Sequence, residues 1–593
     1  MKKIITLLAF LPLLAACDDL FEPALENNRD IEAMYQDPSY AQGILANAYI
    51  KLPYATSPNS DLATDDAVTN ENTNNYLRMA TGSWSASNDP TSRWQDCYFC
   101  IQFINIFLEN VDKVEWAADE RVQTMFRDRL TGEAYGLRAV FMYYLLQAHG
   151  GYTEDGKLMG VPILLSSEDP DSDFNHERAT YAACVEQIIK DADKAIELLP
   201  LDYVDLKNNA DVPQKYQEIG VTEASTYNRV NGINMGGLMT ARIAMAVKAQ
   251  VALMAASPAF SAESGITWKQ AAEYAGDLLD KMDNPWTLDA DGNTWYDNAE
   301  ITNLVSGANP EEIIWRGSTA DELTLEQNNF PPSLYGNGRV NPSQNLVDAF
   351  PMANGYPISH SKSNYDEDKP YEDRDPRLTD YILYNGSAKL NNGTAIDLAA
   401  SNNYNANATN TENGRSTRTG YYLLKLLRPG CNPNPQYNTA QRHYSARIRY
   451  TEIFLAYAEA ANEAYGPMGT GKYPYSAKDI IKKIRQRAGI NDEGYLNECA
   501  GDPDKMRELI RNERRLELCF ENFRFWDLRR WKVDMEKLNE TIRGVKITDN
   551  GNDSFTYEEL KVEIRNYSDY MYYGPIPHSE ILKWSNLKQN KGW

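Results

Sequence analysis

Apolar residues recur at spacings of three and four along much of this chain. Leu130, Ala134, Leu137, Phe141, Leu145 and Ala148 form one such stripe, the pattern of a helix with one face against a core, and Gly150-Gly151 stops it. Cys184, Val185, Ile188, Ile189, Ala192, Ala195, Ile196 and Leu199 repeat the pattern up to Pro200. Ile243 to Ala256 predicts a third helix, closed by Pro258. Lys248 and Gln250 interrupt its apolar run, which is also too short for a membrane span, so it reads as a buried helix. Further helices are predicted over Trp94 to Leu108 and over Trp268 to Met282, the latter with Thr267 as N-cap. Late in the chain, Ala446 to Tyr465 and Ala477 to Ala488 pair across a Gly/Pro/Tyr turn, and Pro503 to Phe520 adds another helix. Small residues at 456, 458, 460 and 461, all alanine, suit tetratricopeptide-like packing without that motif's strict repeat length.

Between Asn284 and Arg442 the texture changes to short alternating pieces rich in Gly, Pro, Asn and Tyr, and Asn391 to Gly420 reads as an exposed loop. The expected fold is therefore mostly α. A tetratricopeptide-like helical-pair scaffold covers about 40–283 and 443–531, an irregular, loop-rich insert with short strands covers about 284–442, and a C-terminal segment covers 532–593. Helices on both sides of the insert follow one pattern, which favours a single domain over 17–593.

The first residues address the chain. Lys2 and Lys3 precede an eleven-residue apolar run, Ile4 to Leu14, too short for a hydrocarbon core of about 30 Å, and Ala15-Ala16 follow as small residues before a cut site. Residues 1–16 read as a signal peptide. Leu14-Ala15-Ala16-Cys17 resembles the lipobox of bacterial lipoproteins, which implies lipidation of Cys17 and anchoring at the outer membrane without a spanning segment. Asp18 and Asp19 resemble the surface-export signal of Bacteroidetes lipoproteins.

Composition narrows the chemistry. A formal charge of −25 over 593 residues argues against a nucleic-acid groove, which needs clustered cations, while 42% apolar residues suffice for a large core. Besides Cys17 there are Cys97, Cys100, Cys184, Cys431, Cys499 and Cys519, and spacing assigns no disulfide among them. Cys97 and Cys100 lie one turn apart on a helix and read as packed thiols. Five scattered histidines, with no HExxH and no two in one short window, give no metal-ligand spacing and no cofactor motif.

A set of strings then carries a resemblance. They include Arg449-Tyr450-Thr451-Glu452, Ile484-Arg485-Gln486-Arg487-Ala488-Gly489, Asn512-Glu513-Arg514-Arg515-Leu516-Glu517 and Asp527-Leu528 with Arg530-Trp531. Gly132-Glu133-Ala134, Asp375-Pro376-Arg377-Leu378, Gly574-Pro575-Ile576-Pro577 and the terminal Lys591-Gly592-Trp593 complete them. In order and spacing they resemble the SusD/RagB-like outer-membrane nutrient-binding lipoproteins. The resemblance implies a non-catalytic surface lipoprotein that captures an oligosaccharide and passes it to a SusC-like TonB-dependent transporter. The alternatives are a peptide-capturing RagB-like member, a surface glycoside hydrolase and a purely architectural lipoprotein. The charges of the 513–530 cluster sit at helical spacing, which fits either exposed pairs or buried ion pairs. Both are architectural.

A sugar offers apolar C–H faces and a rim of hydroxyls, so its binder needs flat rings flanked by polar groups. Trp84, which lacks helical company, is the first candidate for stacking, with Asn88, Asp65 and Asp66 as polar partners in a Ser/Thr/Asn-rich stretch. A second group lies in the insert: Trp295, Tyr296, Trp315 and Tyr335, with Arg316 able to fork two hydroxyls or a carboxylate. Arg374 and Arg377 read as turn residues.

Overall fold

The computed structural model describes residues 31–593 except 298, 306, 391–392, 400–404 and 407–413. The signal segment, Cys17, Asp18 and Asp19 lie outside the described residues. Helix α1 (Pro38–Ile50), α2 (Trp94–Asn110), α3 (Glu120–His149), α4 (Tyr181–Leu198), α5 (Ala241–Ala256) and α6 (Trp268–Leu279) each pack on the next. Helix α6 then packs against α7 (Tyr450–Tyr465), which carries α8 (Ala477–Arg487) and α9 (Pro503–Glu517). The scaffold is thus continuous in space across an insert of more than a hundred residues in sequence. Thr267 caps α6 as expected, in a reciprocal capping box with Gln270. Close packing explains Gly132 and Gly136 on α3: a Cβ at Gly132 would lie 2.7 Å from Leu199 Cγ, and one at Gly136 2.5 Å from Met239 Cγ. No helix among the described residues is long and apolar enough to cross a membrane.

Some helix boundaries differ from the sequence expectation, among them the end of α6 at Leu279 instead of Met282. Residues Ala446–Arg449 form a strand, antiparallel to Ile313–Arg316, because pairing with the insert outweighs local helix propensity. Helix α9 stops at Glu517; Phe520 and Asn522 adopt left-handed φ of 63° and 67°, and Phe520 is wholly buried, which holds the chain in that turn. A short helix α10 (Arg524–Arg530) follows.

The insert contains helices of four to six residues and short strand pairs, as its texture predicted: Ala320–Glu322 with Gln441–His443, and Ile382–Leu383 with Tyr422–Leu423. Val340–Pro342 pairs outside it with Ala67–Thr69. It has an apolar cluster of its own, with Leu346, Phe350, Tyr381 and Tyr422, to which Leu516 from the end of α9 and Phe520 from the turn beyond it contribute. The expected exposed loop from Asn391 to Gly420 is corrected in its described part, since Ile396, Leu398, Asn405, Thr417 and Thr419 are buried. The C-terminal segment holds an unforeseen antiparallel ribbon, Ile542–Gly551 with Ser554–Glu563. The six described cysteines are buried and unpaired.

The charged strings lie inside the protein. Arg377 bridges Asp375 at 2.6 Å, Glu513 at 2.9 Å and Glu517 at 3.0 Å, with side-chain exposures of 0–1% throughout. Glu517 also takes Arg487 at 2.9 Å, while Arg449 links Glu312 at 2.7 Å and Glu521 at 2.8 Å. Arg530 joins Asp527 and Glu459, and Trp531 Nε1 donates to Glu459 at 2.7 Å. Of the two readings of this cluster, the buried one holds. Burial alone would raise the Glu517 carboxyl; the guanidinium groups of Arg487, Arg377 and Arg449 and the Lys425 ammonium pull it down to about 2. The expectation for Arg374 and Arg377 as turn residues is corrected as well. Arg374 donates to the carbonyls of Pro370, Val347 and Phe350 at 2.7 Å each, and Arg377 is the hub of the network.

Candidate functional site

A cleft with a cavity of about 450 Å³ is lined jointly by the helices and the insert. Helix α3 supplies Tyr143, Tyr144 and Gln147, and α5 supplies Gln250, Leu253 and Met254. The segment after α1 contributes Tyr54, the insert Trp295 and Tyr296, the stretch leading into α7 Tyr444 and Arg447, and the first turn of α7 Glu452. Phe523 and Trp526 close the wall. Tyr54 stands edge-on to Tyr144 with centroids 5.3 Å apart, and Tyr143 to Tyr144 at 5.1 Å. Rings oriented this way buttress one another.

Several residues of this lining carry buried polar atoms without a hydrogen-bond partner: Gln250 Oε1, Glu452 Oε2, Arg514 Nη1, Arg93 Nε and Trp295 Nε1. Such an atom costs about 1–3 kcal/mol; others of the same kind, on Asp66, Arg485, Arg487 and Arg515, lie in the ion-paired core. Gln250 Nε2 donates to Glu452 Oε1 at 2.7 Å, and Arg514 Nε to Asp527 Oδ2 at 2.8 Å; each pair fixes the residue whose other atom is spare. Burial pushes the Glu452 carboxyl up to about 7 against the pull of Arg514. Arg447 is half-buried, lies 4.8 Å over the Trp315 ring and, like Arg93, forms no ion pair with a carboxylate among the described residues. By contrast Glu521 and Asp527 are held by Lys425, Arg449, Arg514 and Arg530. The cleft therefore has spare donors and few spare carboxylates.

The sequence candidates divide sharply. Trp295 and Tyr296 border the cleft but are only 4% and 8% exposed, packed with Ile313 in a small apolar cluster. Trp84 does not: it is 5% exposed, packed against Trp593 at 4.9 Å, Phe525 at 5.9 Å and Tyr567 at 6.3 Å, with Arg529 over its ring. Its Nε1 donates to Asp89, and no face is open for a sugar, so it is a core residue. Asp65 and Asp66 are likewise buried, held by Arg524 at 2.9 Å and Arg515 at 2.7 Å, with Lys537 also on Asp65. Those cations pull the Asp65 carboxyl well down despite its burial. Asn88 is exposed in a small turn, its amide bonded to Ser83 O. Trp315 is 1% exposed and supports Tyr54 and Arg447 from behind. Arg316 spends its guanidinium on the carbonyls of Ala308 and Gly317. Tyr335 is 53% exposed at a left-handed φ of 66° and is not part of the cleft lining.

The architecture has clear relatives. A family model described as "SusD family" matches residues 311–593, and one described as "Starch-binding associating with outer membrane" matches 25–211. The chain belongs to the SusD/RagB-like family. Among relatives, SusD-like protein P25 of Formosa agariphila is 27% identical over 248 residues, 39% of this chain and 41% of that one. SusD-like protein P2 of the same organism is 29% identical over 152 residues, 24% of each chain. The chain thus spans less than half the length of these curated relatives. A crystal structure of a SusD-like protein from Bacteroides fragilis superposes with a TM-score of 0.71 at 24% identity, covering 96% of this chain and 99% of that one. A laminarin-binding SusD-like protein superposes at 0.58 and 18% identity, covering 94% and 100%. At these identities the superpositions establish the SusD-like fold.

The family strings explain why site reading from sequence missed most of the cleft. They fold into the ion-paired core, whereas Tyr54, Tyr144, Tyr444 and Arg447 come from segments far apart in the chain. One local signal existed: Gln250 interrupts the apolar run of a buried helix, and a buried amide requires a polar partner. That partner is Glu452, within a family string but facing the cleft.

Proposed function

We propose that this SusD-like protein is a non-catalytic, lipid-anchored outer-membrane protein that captures oligosaccharide in the tyrosine-lined cleft and passes it to a SusC-like TonB-dependent barrel. The observation that carries the reading is one cavity lined by the partly buried rings of Tyr54, Tyr144, Tyr444 and Trp526 together with the polar side chains of Gln250, Glu452 and Arg447. Rings take the C–H faces of a sugar and the polar atoms its hydroxyls. Arg93 and Arg447 extend the reading to glycans bearing carboxylate or sulfate groups, which guanidinium recognises in a bidentate way. Tethering by Cys17 would keep the protein within reach of its transporter, where effective concentration supplements affinity.

Hydrolysis is disfavoured by the state of the carboxylates. Glycosidases use two of them across the scissile bond. Glu452 has the raised pKa of a general acid, but Glu521 and Asp527 are locked in ion pairs and Glu322 sits exposed at the rim.

Isothermal titration with a panel of neutral and acidic oligosaccharides, in competition with a peptide pool, tests the proposal. Saturable glycan binding without release of reducing ends is expected. Accumulating reducing ends, or displacement by peptides with no affinity for any glycan, overturns it. Recovery of a TonB-dependent barrel with the lipoprotein under gentle detergent tests the partnership.

A further inference from the structure

Beside the cleft, three side chains from distant positions converge. Glu326 lies on the short helix Thr324–Asn329, Cys431 on the loop between the strands, and His443 at the end of the strand Gln441–His443. One donor atom of each lies within 4.8 Å of the others. His443 Nε2 is 2.9 Å from Glu326 Oε1, and His443 Nδ1 is 2.8 Å from the Gln441 carbonyl. The carbonyl can only accept, so Nδ1 carries a proton and Nε2 is the ring atom offered to the cluster. Glu326 is fully buried, its Oε1 also accepts from the Arg428 amide at 2.8 Å, and its Oε2 has no partner at all. Cys431 is 6% exposed; its thiol lies beside the Glu326 carboxylate and the Gln441 backbone and makes a long 3.9 Å contact to the Glu322 carbonyl.

We propose that Glu326, Cys431 and His443 form a Zn²⁺ site on the flank of the cleft, independent of the glycan reading. One imidazole, one thiol and one carboxylate are the donor types zinc accepts, and three protein ligands leave a fourth position for water. A tetrahedral zinc holds such donors about 3.5 Å apart, so side-chain shifts of about 1 Å close the set. Thiolate and carboxylate together neutralise the dication, which suits a buried position. Binding displaces one proton from Nε2, which points at a carboxylate oxygen, and one from the Cys431 thiol; no redox change is involved. The hydrogen bond from Nδ1 to the Gln441 carbonyl and that from the Arg428 amide to Glu326 orient the ligands, the usual outer support of a zinc site. The ion would staple the helix, the loop and the strand. His443 lines the cleft, as do Glu322, Leu325 and Asn328 from the other side of the staple, so the metal would set the shape of that rim. Positions 326, 431 and 443 have no short spacing, which is why no metal motif is visible in the chain.

The test uses the chelator-treated, reduced protein titrated with CoCl₂ and then ZnCl₂. A single equivalent of cobalt, a thiolate-to-cobalt charge-transfer band in the near ultraviolet and its loss on adding zinc are expected. Zinc should also raise the thermal midpoint and shield Cys431 from alkylation in mass spectrometry. Cys431→Ser should abolish the band, and His443→Gln should weaken uptake at least tenfold, with both variants retaining the wild-type circular dichroism. Absence of stoichiometric uptake by the folded wild type, or uptake unchanged in both variants, overturns the proposal. Glycan titration with and without zinc reads separately, so failure of the cleft reading leaves this test intact.

Discussion

The ion-paired core and the cleft share helices but use charge in opposite ways. In the ion-paired core carboxylates face guanidinium groups: Arg377 alone holds Asp375, Glu513 and Glu517. In the cleft Arg447 and Arg93 lack carboxylate partners, and Gln250, Glu452 and Arg514 keep unused polar atoms. Charges taken out of water are stabilised only when paired, and removing one partner strands the other. Cations paired internally hold the fold; the guanidinium groups of Arg447 and Arg93, without a carboxylate partner among the described residues, set the cleft wall apart. Glu452 and Arg514 stand at the border, each tied on one side and spare on the other.

The comparison breaks most visibly in stability. Arg377→Ala leaves three buried carboxylates short of their cation and is expected to lower unfolding free energy by about 3–5 kcal/mol, read by urea denaturation. Acid should act on the same network: Glu517 is depressed in the folded state, so its contribution is present above the ordinary carboxylate pKa and is lost as pH falls towards about 2. An Arg377→Ala midpoint within error of wild type would mean the network is ornamental.

The second expected effect is on binding. Arg447→Ala should weaken uronate-bearing oligosaccharides about 10- to 100-fold, since a hydrogen bond to a charged group contributes about 1.5–3 kcal/mol. Neutral oligosaccharides should lose less than about threefold and the urea midpoint should scarcely move, because the lost stacking on Trp315 contributes only about 0.5–1 kcal/mol. Equal losses for both sugar classes would remove the case for an anionic ligand.

The smallest effect sharpens the border. Burial raises the folded pKa of Glu452 to about 7, so its protonated form adds stability below the ordinary carboxylate pKa, and that stability is lost as pH rises through about 7. Ionisation over the same window should also repel an acidic ligand. Affinity for uronates is expected to fall between about pH 6 and pH 8 in the wild type and to stay flat in Glu452→Gln, measured by titration calorimetry across pH. A parallel slope in both proteins would place the titrating group elsewhere.

What the sequence by itself determined was the helical scaffold. Stripes such as Leu130 to Ala148 and Cys184 to Leu199 emerge as α3 and α4, and Thr267 caps α6, because periodicity and capping are local properties of neighbouring residues. The family strings were legible too, but whether their charges were exposed or buried was decided only when α9 docked beneath α7 and the insert. Tertiary structure alone also assigned the rings. Trp84, isolated in sequence, is sealed by Phe525, Tyr567 and Trp593, while Tyr144, embedded in a core-facing helix, reaches the cleft. A ring's exposure depends on what lands on it from hundreds of residues away, and no pattern in the adjacent residues records that.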